Sequence, residues 1–131
     1  MEEQSTLIRE KARRKILVVD DNHDAADTLA MMLRLKGYDV AVRYDGKDAV
    51  AAGAIFLPKI AILDIGMPGL DGYETCRLVR RQTWGKNMVL IALTGYGQED
   101  DIRKSEEAGF DDHLLKPVDL AHLTRLIEVA N

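Results

Sequence analysis

From Lys15 onward, short apolar runs alternate with stretches of helical spacing. Three of the runs are unbroken by any polar residue: Ile16-Leu17-Val18-Val19, Ile60-Ala61-Ile62-Leu63 and Val89-Leu90-Ile91-Ala92-Leu93. A strand buried on both faces has no reason to alternate, so runs this short and continuous read as strands of a parallel sheet covered by helices on both sides. Residues 38–43 read as a second strand in chain order and 111–115 as a fifth. Between them the period changes to that of helices. Ala26, Leu29, Ala30 and Leu33 form one apolar stripe of a helix over about 23–36, which Gly37 is placed to end. A short helix near 46–56 starts behind Asp45 as its N-cap and stops at Pro58, and a third, about 71–81, carries Tyr73, Cys76 and Val79 on one face. The last, 119–130, is capped by Asp119 and turns Leu120, Leu123, Ile127 and Ala130 inward.

The helix expected over about 98–108 differs from the rest. Only Ile102 and Ala108 are apolar in it, so it buries little and is expected to be loosely held, a candidate for the moving part. Strict alternation of strand and helix predicts an α/β doubly wound sheet. Five parallel strands in the flavodoxin-like order 2-1-3-4-5 give a three-layer sandwich, and right-handed crossovers put strand three in the middle. Ligands of such sheets bind at the carboxyl ends of the strands, where the winding reverses between strands one and three.

The residues at those ends carry the chemistry. Asp20-Asp21 closes the first apolar run, Asp64 the third strand, Thr94-Gly95 the fourth and Lys116-Pro117 the fifth. Two like charges about 4 Å apart repel by roughly 4 kcal/mol at an effective dielectric near 20, so three gathered carboxylates require protons or a cation. A hard divalent ion suits oxygen donors. Magnesium fits better than calcium, because it keeps several waters and binds one or two carboxylates together with a phosphate. Asp64, at the end of the central strand, is the best nucleophile, since a carboxylate can attack phosphorus directly. Thr94 brings a hydroxyl and Lys116 a point charge able to offset anionic oxygens in an in-line transfer.

Composition narrows the partners. The 131 residues fit one domain, and 47% hydrophobic with 31% charged residues is a globular balance. A net charge of −4 argues against direct nucleic-acid binding, and no apolar stretch nears the ~20 residues of a membrane span. The acidic start Met1-Glu2-Glu3-Gln4 is unlike a secretory signal, and the single cysteine excludes an internal disulfide, so the cytoplasm is the expected compartment. Residues 1–14 read as a charged tail or linker outside the domain. Cys76 reads as a packed core thiol, and His23 and His122 as helix-surface residues.

Four stretches taken together resemble the receiver domain of two-component response regulators: Ile16-Leu17-Val18-Val19-Asp20-Asp21-Asn22, Leu63-Asp64-Ile65-Gly66-Met67-Pro68-Gly69-Leu70-Asp71-Gly72, Ala92-Leu93-Thr94-Gly95 and Leu115-Lys116-Pro117. The resemblance spans 15–130, which makes 15–131 the receiver domain. It implies that Asp64 accepts a phosphoryl group from a phosphohistidine on a histidine kinase or a histidine phosphotransfer protein. It further implies that Asp20, Asp21, Asp64 and the backbone carbonyl of Gly66 hold Mg²⁺, that Thr94 bonds the phosphoryl group and that Lys116 pairs with it. The readout would be a surface for a downstream protein, in a monomer or homodimer. The protein would not be an enzyme beyond its own phosphotransfer and dephosphorylation. In similar proteins the residues two beyond the acceptor and the threonine, here Gly66 and Tyr96, tune how fast water removes the group. An aromatic switch residue usually stands three positions before the lysine; here it is His113, for which a switch role and an outer-face position both stay open.

Other classes compete. A magnesium-dependent aspartyl-phosphate phosphatase generally needs a second acid two residues beyond its nucleophile, where this chain has Gly66. A flavin or nucleotide carrier on the same fold would need a glycine-rich phosphate loop after strand one, where Asp20-Asp21 would repel phosphate. A passive relay receiver within a hybrid histidine kinase shares every acceptor-site residue and differs only in its readout.

Overall fold

A computed structural model describes residues 14–95 and 99–130. Five strands, β1 (Lys15–Val19), β2 (Asp39–Arg43), β3 (Ile60–Asp64), β4 (Val89–Thr94) and β5 (Asp112–Leu115), form one parallel sheet in the order β2-β1-β3-β4-β5. Five helices alternate with them: α1 (His23–Leu35), α2 (Gly46–Phe56), α3 (Gly72–Arg81), α4 (Glu99–Ala108) and α5 (Leu120–Val129). The expected doubly wound topology is therefore the observed one, and the element ends move by about one residue. Tyr38 precedes β2 rather than opening it, and Asp71 and Asp119 stand outside their helices as N-caps. A 3₁₀ turn, Thr83–Gly85, is an addition that the hydrophobic pattern does not announce.

Side-chain direction along the strands divides the core in two. Ile16, Val18, Ile60, Ile62, Ile91 and Leu93 point to one face and meet Ala26, Ala30 and Leu33 of α1 with Leu123 and Ile127 of α5. Their neighbours Leu17, Val19, Ala61, Leu63, Leu90 and Ala92 point to the other, against Ala49, Cys76, Val79 and Ala108 of α2, α3 and α4. Burial on both faces explains why β3 carries five consecutive buried residues and shows no polar alternation.

The helix ends are set by local hydrogen bonds. Asn22, Asp45, Asp71 and Asp119 each accept a bond from a backbone N–H in the first turn of the helix that follows, replacing a partner that the helix itself cannot supply. At the far end of α3 the guanidinium of Arg80 gathers several backbone carbonyls. It donates to those of Gly85, Lys86 and Met88, and to Gly109 at 2.7 and 2.9 Å. It also pairs with Asp111 at 2.8 Å, and the same Asp111 oxygen accepts the N–H of Leu90. One side chain thus joins α3, the entry to β4 and the junction between α4 and β5.

α4 buries Ala108 and the small polar Ser105, whose hydroxyl bonds the Asp101 carbonyl at 2.7 Å; Ile102 is only half-buried. Its interface is as slight as its sequence implies. Trp84, the chain's one tryptophan, lies flat against Gly53 of α2, where an added Cβ would stand 2.5 Å from the indole ring. Gly53→Val is accordingly expected to lower stability by about 1–3 kcal/mol through overpacking. The urea midpoint measures the loss, and a changed Trp84 emission spectrum reports the displaced ring.

Candidate functional site

Strand register brings distant residues to one edge. Val19 pairs with Leu63, so the next step of each strand sets Asp20 beside Asp64. Asp64 pairs with Leu93 and Thr94 with Leu115, which places Thr94 and then Lys116 on the other side of Asp64. Backbone bonds continue this alignment past the strand ends: Asp20 N–H to the Arg43 carbonyl (3.2 Å), Ile65 N–H to Leu93 (3.1 Å) and Lys116 N–H to Thr94 (2.8 Å).

The loop after β3 is held close by Gly72. A Cβ there would overlap Ile65 Cα and stand 2.7 Å from the Asp64 carbonyl oxygen, so the start of α3 can sit directly on the strand end only because the residue has no side chain. The Gly66 N–H, turned back by this loop, donates to Asp64 Oδ1 at 3.1 Å.

The carboxylates of Asp20, Asp21 and Asp64 each offer an oxygen, and these oxygens all lie within 4.8 Å of one another. Asp20 is 2% exposed and Asp64 7%, whereas Asp21 faces solvent. Lys116 Nζ bridges the two buried acids, 3.1 Å from Asp20 Oδ2 and 3.3 Å from Asp64 Oδ1. The other Asp20 oxygen accepts the Asn22 N–H at 3.0 Å. Burial pushes the Asp64 carboxyl up to about 6, with Asp20's charge adding to the rise; the Gly66 N–H and the Lys116 ammonium act against it. Burial works to lower the Lys116 ammonium, but the hydrogen bond to Asp20 and the charge of Asp64 outweigh it, so its pKa rises. A lysine that stays charged under these conditions is a fixed cation.

Thr94 supplies the most telling polar group. Its hydroxyl is buried, with the residue 1% exposed, and has no hydrogen-bond partner among the described residues. Such an orphan costs about 1–3 kcal/mol unless something fills it, which is the mark of a site built for an acceptor oxygen brought from outside. A cavity of about 480 Å³ opens on Asp64, lined also by Ile65, Gly66, Tyr73, Gly95, Asp101 and Lys116. It has room for a tetrahedral phosphoryl group. The donor set, three carboxylates within bonding span of one point, also fits a hard divalent cation such as Mg²⁺.

Asp20, Asp21, Asp64, Gly66 and Lys116 thus come together as the strand-end pattern implies, and register places Thr94 at the end of the neighbouring strand. His113 does not join them: it lies half-buried in β5, level with Ala92, and is not among the residues lining the cavity. Tyr96 lies outside the described residues. His23 is exposed, as expected, and stacks on Tyr44 with ring centroids 3.7 Å apart; His122 is also exposed. Cys76 is wholly buried, its thiol donating to the Ala108 carbonyl, and burial raises it to about 11, which leaves it protonated and inert. Strand-end reasoning misses Tyr73 and Asp101 as cavity residues. Tyr73 reads in sequence only as one member of an apolar helix face, and nothing local shows that α4 brings Asp101 to the same wall.

The family model described as the response regulator receiver domain matches residues 16–128. A 14.6 kDa protein of Leptolyngbya boryana, designated by its place in the sodA1 3′ region, is 40% identical over 117 residues, 89% of each chain. Among solved structures, the receiver domain of a sensor histidine kinase from Pseudomonas aeruginosa, with a magnesium ion coordinated in its active-site cleft, is 33% identical. It superposes with a TM-score of 0.83 over 90% of this chain and 97% of its own. The Vibrio cholerae chemotaxis protein CheY4 is 25% identical, with a TM-score of 0.86 over 91% and 99%. Fold, register and family match agree: the chain belongs to the response regulator receiver domains of two-component signalling.

Proposed function

We propose that the protein is a phosphoacceptor switch that takes a phosphoryl group from a phosphohistidine onto Asp64. The observation that carries this reading is the buried Thr94 hydroxyl, without a hydrogen-bond partner among the described residues, at the end of the strand between those that bring Asp64 and Lys116. An Asp64 oxygen attacks phosphorus, a P–O bond forms as the P–N bond breaks, and the imidazole leaves with its electron pair and takes up a proton. Asp64 is suited to this because a carboxylate raised to about 6 is still mainly ionised at pH 7, yet more basic than an ordinary one. Thr94 donates its free hydroxyl to a phosphoryl oxygen, and Lys116 exchanges one carboxylate contact for an ion pair with the new phosphate.

Asp20, Asp21, Asp64 and the Gly66 carbonyl are the residues that would hold Mg²⁺, whose charge would neutralise the transferring oxygens. That the related Pseudomonas aeruginosa receiver coordinates magnesium in its cleft supports this assignment. A largely apolar groove of about 670 Å³ beside α1, lined by residues including Ala25, Leu29, Met32 and Val118, adjoins Asp20 and Lys116 and gives a donor protein a surface to rest on. Modification adds about −1.5 to −2 charge where two buried carboxylates already share one lysine, and α4 with β5 is the least anchored part able to respond. His113, on β5, would report that movement. The domain would act in the cytoplasm, on a protein target rather than on nucleic acid or a membrane. No helix among the described residues is long and apolar enough to cross a membrane.

Incubation with acetyl phosphate and Mg²⁺, followed by intact mass, tests the assignment. One phosphoryl adduct is expected on the wild type and none on Asp64→Asn, with EDTA abolishing the label; equal labelling of both proteins would defeat the reading. Thr94→Ala, which removes one hydrogen bond to a charged group, is expected to slow labelling about 10- to 100-fold. Steady release of phosphate from small esters would favour the phosphatase instead.

Burial of Asp64 also sets a pH dependence. Its folded pKa lies above the unfolded value, so the stability it contributes is full below about pH 4 and lost as pH rises through about 6. The loss is on the order of 2–3 kcal/mol. In metal-free urea titrations the difference between wild type and Asp64→Asn should fall across that window. Adding Mg²⁺ at pH 7 should raise the wild-type midpoint more than that of the variant. A difference that grows with pH would mean that Lys116, not desolvation, governs Asp64.

A further inference from the structure

Tyr73 stands at the beginning of α3, half-buried, on the wall of the cavity that opens on Asp64. The acceptor chemistry above makes no use of it. Its hydroxyl reaches across to α4, 3.4 Å from Asp101 Oδ1 and 3.5 Å from the Asp101 carbonyl oxygen. Asp101 lines the same cavity, near the start of a helix whose buried residues, Ser105 and Ala108, lie toward its other end. α4 is therefore fixed at its far end by packing and by Arg80, which grips Gly109 at 2.7 and 2.9 Å. Near the acceptor, long hydrogen bonds from the Tyr73 phenol tie it to α3.

We propose that Tyr73 and Asp101 form a clasp that closes one wall of the Asp64 cavity and so limits the access of water to the phosphorylated carboxylate. Tyr73 is a positioning residue in this role. Burial and the charge of Asp101 both raise the phenol, so it remains a donor throughout the neutral range. The long donor–acceptor distances mean that the clasp can open at small cost, so it slows the entry of water without barring it. The clasp rests on the acceptor role proposed for Asp64, and its test must separate the two.

Two measurements do so on the intact chain. Amide exchange across 101–108 in the unmodified protein reports the clasp without any phosphorylation. The half-life of the adduct formed from acetyl phosphate, followed by intact mass, reports the access of water. Tyr73→Phe is expected to speed exchange at the start of α4 about fivefold or more and to shorten the half-life about three- to tenfold. Asp101→Ala should do the same, and should it or Tyr73→Phe fold poorly the other carries the test. Asp101→Asn, whose side-chain oxygen still accepts the bond, should stay near the wild type. The double variant Tyr73→Phe, Asp101→Ala should go no further than either single one.

Unchanged exchange and half-life in Tyr73→Phe, or effects that multiply in the double variant, would overturn the clasp. Lower melting temperature with an unaltered half-life would show an ordinary packing role and overturn it equally. A wild type that takes no label would instead end the acceptor reading, and the gate on it, even if exchange responds to Tyr73→Phe.

Discussion

Three carboxylates at the end of a parallel sheet resist being together, and the site depends on how that resistance is met. The strands are held in register by backbone hydrogen bonds that do not involve the acidic side chains, so Asp20 and Asp64 cannot retreat from each other without breaking the ladder. Lys116 lies between them, 3.1 and 3.3 Å from their oxygens, and one ammonium offsets only part of the negative charge. Burial raises the Asp64 carboxyl, and the charge of Asp20 adds to the rise. A fold that binds its own strands so firmly can maintain a local electrostatic cost, one that a cation held among these oxygens would relieve.

The same constraint explains how far the sequence could be read. Strands buried on both faces must be apolar throughout, so β1, β3 and β4 stand out as unbroken runs, and any acid directly after such a run must lie at a sheet edge. Strand order follows from handedness and alternation, and the meeting of Asp20, Asp64 and Lys116 follows from strand order. Two helix starts were equally legible, because Asp45 and Asp119 read as caps; that Asn22 and Asp71 cap α1 and α3 is visible only in the structure.

What remained hidden depends on contacts between elements. The Arg80 cluster draws on residues 85 to 111, and no local pattern marks an arginine near a helix end as a junction rather than a solvated charge. Tyr73 fits a helix stripe, and only the packing of α4 on α3 turns its hydroxyl toward Asp101. The 3₁₀ turn that sets Trp84 over Gly53 lies in a stretch without periodicity. His113 shows the limit from the other side. Its distance from Lys116 in sequence suggested a part in the switch, but β5 is short and at the sheet's edge, so position in the chain does not fix what the imidazole meets.

Arg80 has a geometric effect on α4 as a whole. A rod held firmly at one end and loosely at the other cannot slide; it can only swing, and its travel grows with distance from the pivot. Eight residues of helix separate Gly109 from Asp101, about 12 Å, so a tilt of about 10° at the guanidinium becomes an excursion of roughly 2 Å beside the acceptor. Leverage of that kind would convert an atomic-scale change in charge into a reshaped outer surface without disturbing the sheet beneath.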